Sequence, residues 1–294
     1  MQGGLAVLRK IFLGALLPVS VVFVLLAPPL AAQQVPKLEI VQKSLALCNN
    51  ADQKTTADAQ ADGCTALIKS GAETPRILAI AYNNRGNVFA KKGDFEHALE
   101  DYNQSLKANP KYSKALNNRG VAYQKKGEYD LAIADLDEAI RLDPAYAGSL
   151  ANRAETYLKK AMFDRAAQDF DAAIKLAPDL VGIWNGRCWA RAVMGELQTA
   201  LADCDEAIRR DPAVAEGFES RGLVNLKLGR WEAAVADYNS ALRLQPRLAS
   251  ALFGRGVVRL KQGDVVNGKT DMSAAERLRP GIAAEFKRYG ADFN

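Results

Sequence analysis

Six prolines fall in one register along this chain: Pro110, Pro144, Pro178, Pro212, Pro246 and Pro280, each 34 residues from the next. Other columns keep the same period. Arg85, Arg119, Arg153, Arg187, Arg221 and Arg255 form one, and Asp101, Asp135, Asp169, Asp203, Asp237 and Asp271 another. A third holds Ala98, Ala132, Ala166, Ala200 and Ala234, with Gly268 in the last unit. A chain built this way must give every repeat the same local structure. One repeat cannot bury its own apolar face, so the units have to stack.

Within each unit the apolar residues follow the spacing of two amphipathic helices. A turn is expected between them at Gly93, Gly127, Gly195, Gly229 or Gly263. The proline ends the second helix, because it lacks an N–H and restricts the residue before it. Placing the proline at position 32 sets the units at 79–112, 113–146, 147–180, 181–214, 215–248 and 249–282. Position 8 is then small (Gly86, Gly120, Ala154, Cys188, Gly222, Gly256). Position 24 is bulky in most units (Tyr102, Leu136, Phe170, Tyr238, Met272).

This pattern resembles the tetratricopeptide repeat (TPR) over 204 residues. The resemblance implies an all-α, right-handed solenoid of antiparallel helix hairpins. It departs from the family in the first helix of the last three units, where Arg191, Asn225 and Arg259 occupy a place that is usually aromatic. Residues 33–78 read as a degenerate N-terminal hairpin, and 283–294 as a C-terminal cap whose short solvating helix begins at Ile282.

The four cysteines support that extra hairpin. Cys48 and Cys64 are 16 apart, as are Cys188 and Cys204. In the fourth unit these are positions 8 and 24, which face each other across an antiparallel hairpin. Two intra-hairpin disulfides are therefore expected, Cys48–Cys64 and Cys188–Cys204. The alternative makes Cys188 and Cys204 small buried hydrophobes. No metal site is expected: there is no Cys-x-x-Cys, and the single histidine, His97, is distant from both pairs.

The N-terminus has the layout of a secretory signal peptide over 1–32. Arg9-Lys10 precedes an apolar run, Ile11–Leu26, then the small residues before Gln33. This implies a periplasmic or secreted protein, a layout that resembles bacterial periplasmic TPR proteins. The alternative is an inner-membrane anchor at 11–26. Removing Arg9 and Lys10 lowers the formal charge from +5 to +3, too little and too evenly mixed with carboxylates for nucleic acid.

The Arg and Asp columns read as repeated ion pairs between packed helices, with the choice between pairs inside a unit and pairs between neighbours left open. An anion-binding stripe is the competing reading. The family resemblance places the first helix of each unit on a concave groove. Its ligand positions would be Asn83, Asn87, Asn117, Gln124, Glu155, Trp189, Leu223 and Phe253. The asparagines could bond an extended peptide's backbone, and exposed Trp189 and Phe253 could anchor an apolar side chain. The clamp by which some TPR domains hold a C-terminal carboxylate is excluded. Asn87 and Asn118 match it, but its basic half is missing at Asn83, Gly148 and Asn152. With no phosphate loop and no Gly-x-Ser-x-Gly, the expectation is a scaffold without catalysis or cofactor. Its partner would be a protein or peptide, with self-association as the alternative.

Overall fold

A computed structural model of the chain describes residues 30–50, 54–71 and 74–290. The segment 11–26, and all but the last three residues of the expected signal peptide, lie outside the described residues. The described residues form fifteen helices and no strand, and none of these helices is long and apolar enough to cross a membrane.

The chain divides after Ile40. In the first part, residues 30–40 are helical and open α1 (Leu30–Asn49). The second part begins with the rest of α1 and α2 (Ala57–Ser70). Six hairpins follow. They are α3 (Pro75–Lys91) with α4 (Phe95–Ala108), α5 (Ser113–Lys126) with α6 (Tyr129–Leu142), and α7 (Ala147–Lys159) with α8 (Phe163–Leu176). Then come α9 (Val181–Met194) with α10 (Leu197–Arg210), α11 (Ala215–Lys227) with α12 (Trp231–Leu244), and α13 (Ala249–Lys261) with α14 (Val265–Leu278). The last helix is α15 (Ile282–Arg288). The N-terminal hairpin ends at Ser70, earlier than the expected boundary at 78. Helix α3 starts four residues before the first unit, because Thr74 caps it by accepting from Ile77 N and Pro75 fits its first turn.

Proline sets the end of every second helix as expected. The residue before it has left the helical region in all six units, with φ between −132° at Gln245 and −144° at Ala177 and Arg279. Five hairpin turns have glycine in the left-handed region. In the third unit Ala161 takes that place at φ 56°, the strained conformation an L-residue rarely adopts.

Stacking depends on one close approach. The ring of Tyr238 lies so near Gly254 of the next unit that a β-carbon there would sit 2.4 Å from its hydroxyl. Phe170 meets Gly186 in the same way, at 2.3 Å. At these two junctions the large aromatic at position 24 requires glycine at position 6 of the following unit, whereas Tyr102, whose hydroxyl donates to Asn87 of its own unit, is followed by Asn118. Where position 6 is Ser220, the preceding position 24 is the small Cys204.

Both disulfides are present, Cys48–Cys64 and Cys188–Cys204, and all four cysteines are fully buried. The second replaces the glycine–tyrosine contact made by Gly222 and Tyr238 one unit later.

The Arg–Asp columns are structural, and each arginine acts both within its unit and between units. Each guanidinium holds its own unit's aspartate through Nε and Nη2, as Arg119 does with Asp135 at 2.7 Å for both bonds. Its Nη1 donates to the previous unit's second helix. Asn103, Asp137, Asp171, Asp205 and Asn239 accept from Arg119, Arg153, Arg187, Arg221 and Arg255, and Thr65 from Arg85. One planar fork therefore ties three helices together. The departures in the last three units join the same ladder. Arg191 donates to Asp203 at 2.8 Å, Asn225 to Asp237 at 2.8 Å and Arg259 to Asp271 at 2.7 Å. In the second and third units the aromatic at that place, Tyr123 or Tyr157, instead lies beneath the guanidinium.

Candidate functional site

Neighbouring first helices touch one another (α3 with α5, α5 with α7, α7 with α9, α9 with α11, α11 with α13), whereas neighbouring second helices do not. The first helices therefore line the inner face of the stack, and the groove residues named from sequence lie on them.

The amide-rich end is knitted into itself. Asn118 Nδ2 donates to Asn83 Oδ1 and Asn87 Oδ1, both at 2.9 Å. Asn152 Nδ2 donates to Asn117 Oδ1 at 2.9 Å, and Asn117 Nδ2 to Asn118 Oδ1 at 3.1 Å. Asn84 carries the ladder down to Cys48 O and Asn49, and Tyr102 closes it by donating to Asn87. Asn83 and Asn117 are buried. Gln124 is buried too, donating to Thr156 Oγ1 and Asn152 O. These amides hold successive units in register: Asn83, Asn117 and Gln124 are buried in the ladder, and the half-buried Asn87 is engaged through its Oδ1.

What the first three units do present is charge. Lys91, Lys125 and Lys159 are exposed at matching positions, with Glu155 between them. Crowding by the groove walls raises the Glu155 carboxyl above the usual range even though its edge reaches solvent, while Lys125 and Lys159 pull it down. Beside the α4–α5 loop, a recess of about 340 Å³ is lined by Arg76, Ile80, Asn109, Tyr112 and Lys114.

The apolar end is covered, contrary to the expectation of an exposed Phe253. Leu223 and Phe253 are 1% and 2% exposed. The cover is α15, the expected C-terminal capping helix, which lies mainly on α13. Ile282 and Phe286 are buried in the core of the last units. Phe286 packs against Phe253 with ring centres 4.7 Å apart and planes tilted by 52°, and Tyr289 meets Trp189 edge-on at 5.0 Å. Trp189 is half-buried. Lys227 Nζ donates to Tyr289 O at 2.9 Å and to Ala192 O at 2.7 Å, joining α11 to the ends of α9 and α15. Burial lowers the Lys227 ammonium from its ordinary range.

Sequence reasoning missed Lys227, Tyr289 and Glu219. Glu219 shares the column of Asn83 and Phe253. Burial pushes its carboxyl up to about 7, opposed by a hydrogen bond with Ser250 and the charge of Arg279. The column position marked Glu219 and Lys227 as groove residues; nothing in sequence marked the fold-back of Tyr289. Among the described residues, no three His, Cys, Asp or Glu side chains cluster as a metal ion would need.

A family model described as a tetratricopeptide repeat matches residues 83–147 and 152–215, and a TPR-repeat model matches 226–263, together more than half of the chain. No curated protein sequence matches significantly. Among solved structures, a tetratricopeptide repeat protein from Parabacteroides merdae is 20% identical, covers 88% of this chain and 99% of its own, and has a TM-score of 0.62. PilF of Pseudomonas aeruginosa is 18% identical over 74% of this chain and 98% of its own (TM-score 0.61). YrrB, described as a TPR protein with an unusual peptide-binding site, is 22% identical over 65% of this chain and 97% of its own (TM-score 0.53). At these identities the likeness is one of fold.

Proposed function

This chain belongs to the tetratricopeptide repeat family, and we propose that it is a non-catalytic scaffold of the bacterial cell envelope that holds a peptide or partner domain against its concave face. The observation that carries the reading is the open stretch of groove over the first three units. There Lys91, Lys125, Glu155 and Lys159 point to solvent from a wall made rigid by the asparagine ladder. A rigid wall with exposed charge gives register and orientation to a ligand at little ordering cost. YrrB, with its peptide-binding site, offers the parallel among proteins of this fold.

Export is supported by the signal-like N-terminus and by two disulfides, which persist in an oxidising compartment. Fractionation with N-terminal sequencing of the mature chain tests it: a free N-terminus near Gln33 in the periplasm is expected, and an intact N-terminus in the membrane would favour the anchor.

Photocrosslinking in the native envelope tests the groove. A probe at Glu155 is expected to give a discrete adduct, while a control at exposed Arg141 on α6 gives none. Equal adducts from both positions would remove the groove from the proposal. Self-assembly is the second reading, favoured by the exposed Leu176, Leu180, Val214 and Leu244. A mass that rises with concentration in light scattering would support it.

A further inference from the structure

Helix α15 does not continue the solenoid. Each earlier first helix packs on the second helix before it, as α13 does on α12, whereas α15 packs chiefly on α13, a first helix, and less on α14. It reaches back from the sixth unit to the fourth, over the surface where the family resemblance places a ligand. Its apolar residues, Ile282, Phe286 and Tyr289, stand at i, i+4 and i+7, the spacing by which a short amphipathic helix lies in a groove. Ala284, Lys287 and Arg288 on its other side are exposed.

The attachment is slight. Gly281, in the left-handed region at φ 86°, follows Pro280, so the segment turns away from α14 at a hinge. Seven residues make fewer than two helical turns, too few to stay helical alone. The segment is therefore held by Ile282, Ala283, Phe286 and Tyr289, the 3.5 Å ion pair of Glu285 with Arg279 at the hinge, and the Lys227–Tyr289 bond, and unfolds when it leaves. Its departure uncovers the faces of Trp189 and Phe253 on which Tyr289 and Phe286 lie, within the apolar cluster that also holds Leu223 and Val257, a surface of a kind that marks a docking site.

From this geometry we propose that residues 282–290 are a ligand held in cis: the groove of units four to six receives a short amphipathic helix with apolar or aromatic anchors at i, i+4 and i+7, and a partner helix of that pattern enters by displacing α15. The proposal rests on the reading of the concave face as the binding face, and it names the partner's chemistry. A short tether holds its ligand at roughly millimolar effective concentration. A groove that binds the free helix at about 100 μM would then be closed about nine-tenths of the time, weakening any competing helix about tenfold.

The test uses the full chain and a fluorescein-labelled peptide of residues 281–290, followed by anisotropy. Phe286→Glu/Tyr289→Glu releases α15, with circular dichroism confirming that the solenoid is folded. The opened variant is expected to bind the peptide roughly tenfold more tightly than the wild type. Adding Trp189→Ala to the opened variant should reverse the gain. Equal affinity for the closed and opened chains, or no binding by an opened chain that is folded, overturns the proposal, as does a wild-type dimer held by exchange of α15 between copies. Should the double variant fail to fold, hydrogen exchange on the wild type decides. Amides of 286–290 should exchange at least roughly 100-fold faster than those of α13; exchange as slow as α13 would make α15 a fixed part of the core. Peptide binding by the opened groove does not depend on a natural partner being found. Its failure is therefore distinct from failure of the Glu155 crosslink.

Discussion

At the scale of single residues, the polar groups of the groove serve the stack first. Asn118 is the sharpest case, since its amide satisfies two carbonyls at once and one of them belongs to buried Asn83. Asn118→Ala leaves that oxygen unpaired and should cost about 1–3 kcal/mol in urea unfolding; a change near zero would show that water replaces the ladder freely. Ala161 stands in a left-handed turn that the other units give to glycine. Ala161→Gly relieves a strain of about 1–2 kcal/mol and returns part of it as unfolded-chain entropy, so a gain of about 0.5–1 kcal/mol is expected. Glu219 supplies a pH signature. Its folded carboxyl titrates near 7, above its unfolded value, so the folded state binds the extra proton between those values and stability falls as pH rises through that window. Glu219→Gln should therefore raise the melting temperature at pH 8, by an amount worth about 1–3 kcal/mol, and change it little near pH 4. An equal shift at both pH values would place the effect in packing.

Between elements, the hairpins are joined by contacts that depend on pairs of positions. Gly254→Ala drives a β-carbon into the buried Tyr238 ring and should destabilise by about 1–3 kcal/mol. Combining it with Tyr238→Leu, the arrangement of Leu136 before Asn152, should cost less than the sum of the two single changes; strict additivity in a double-mutant cycle would refute the pairing. The disulfides act at the same scale. Each closes a loop between residues 16 apart inside one hairpin, so Cys188→Ser/Cys204→Ser should lose about 3 kcal/mol. A thiol titration of the unfolded, unreduced protein should find no free cysteine.

In the second part of the chain, from Val41 on, stability passes from neighbour to neighbour, because each unit touches only those next to it apart from the reach of α15. Ending the chain at Arg279 should therefore speed amide exchange in α13 and α14, by an amount worth about 1–2 kcal/mol, and leave α3–α6 unchanged. Uniform loss of protection would mean that the array unfolds as one block.

The 34-residue register determined the fold, since repeated prolines, small residues and Arg–Asp columns each have a local or nearest-neighbour cause. For the same reason it placed both disulfides: two residues 16 apart in a hairpin of fixed geometry have only each other to meet. The groove was legible as a set of positions but not as a state. Whether Asn83 faces a ligand or Asn118, and whether Phe253 is open or covered, depends on side chains from other units and on a segment that folds back across three of them. Those contacts join residues such as Trp189 and Tyr289, 100 apart in the chain and 5.0 Å apart in the fold. No local pattern records such a meeting; only the tertiary structure brings them together, because the hinge at Pro280–Gly281 points α15 inward and the apolar groove gives its anchors somewhere to be buried.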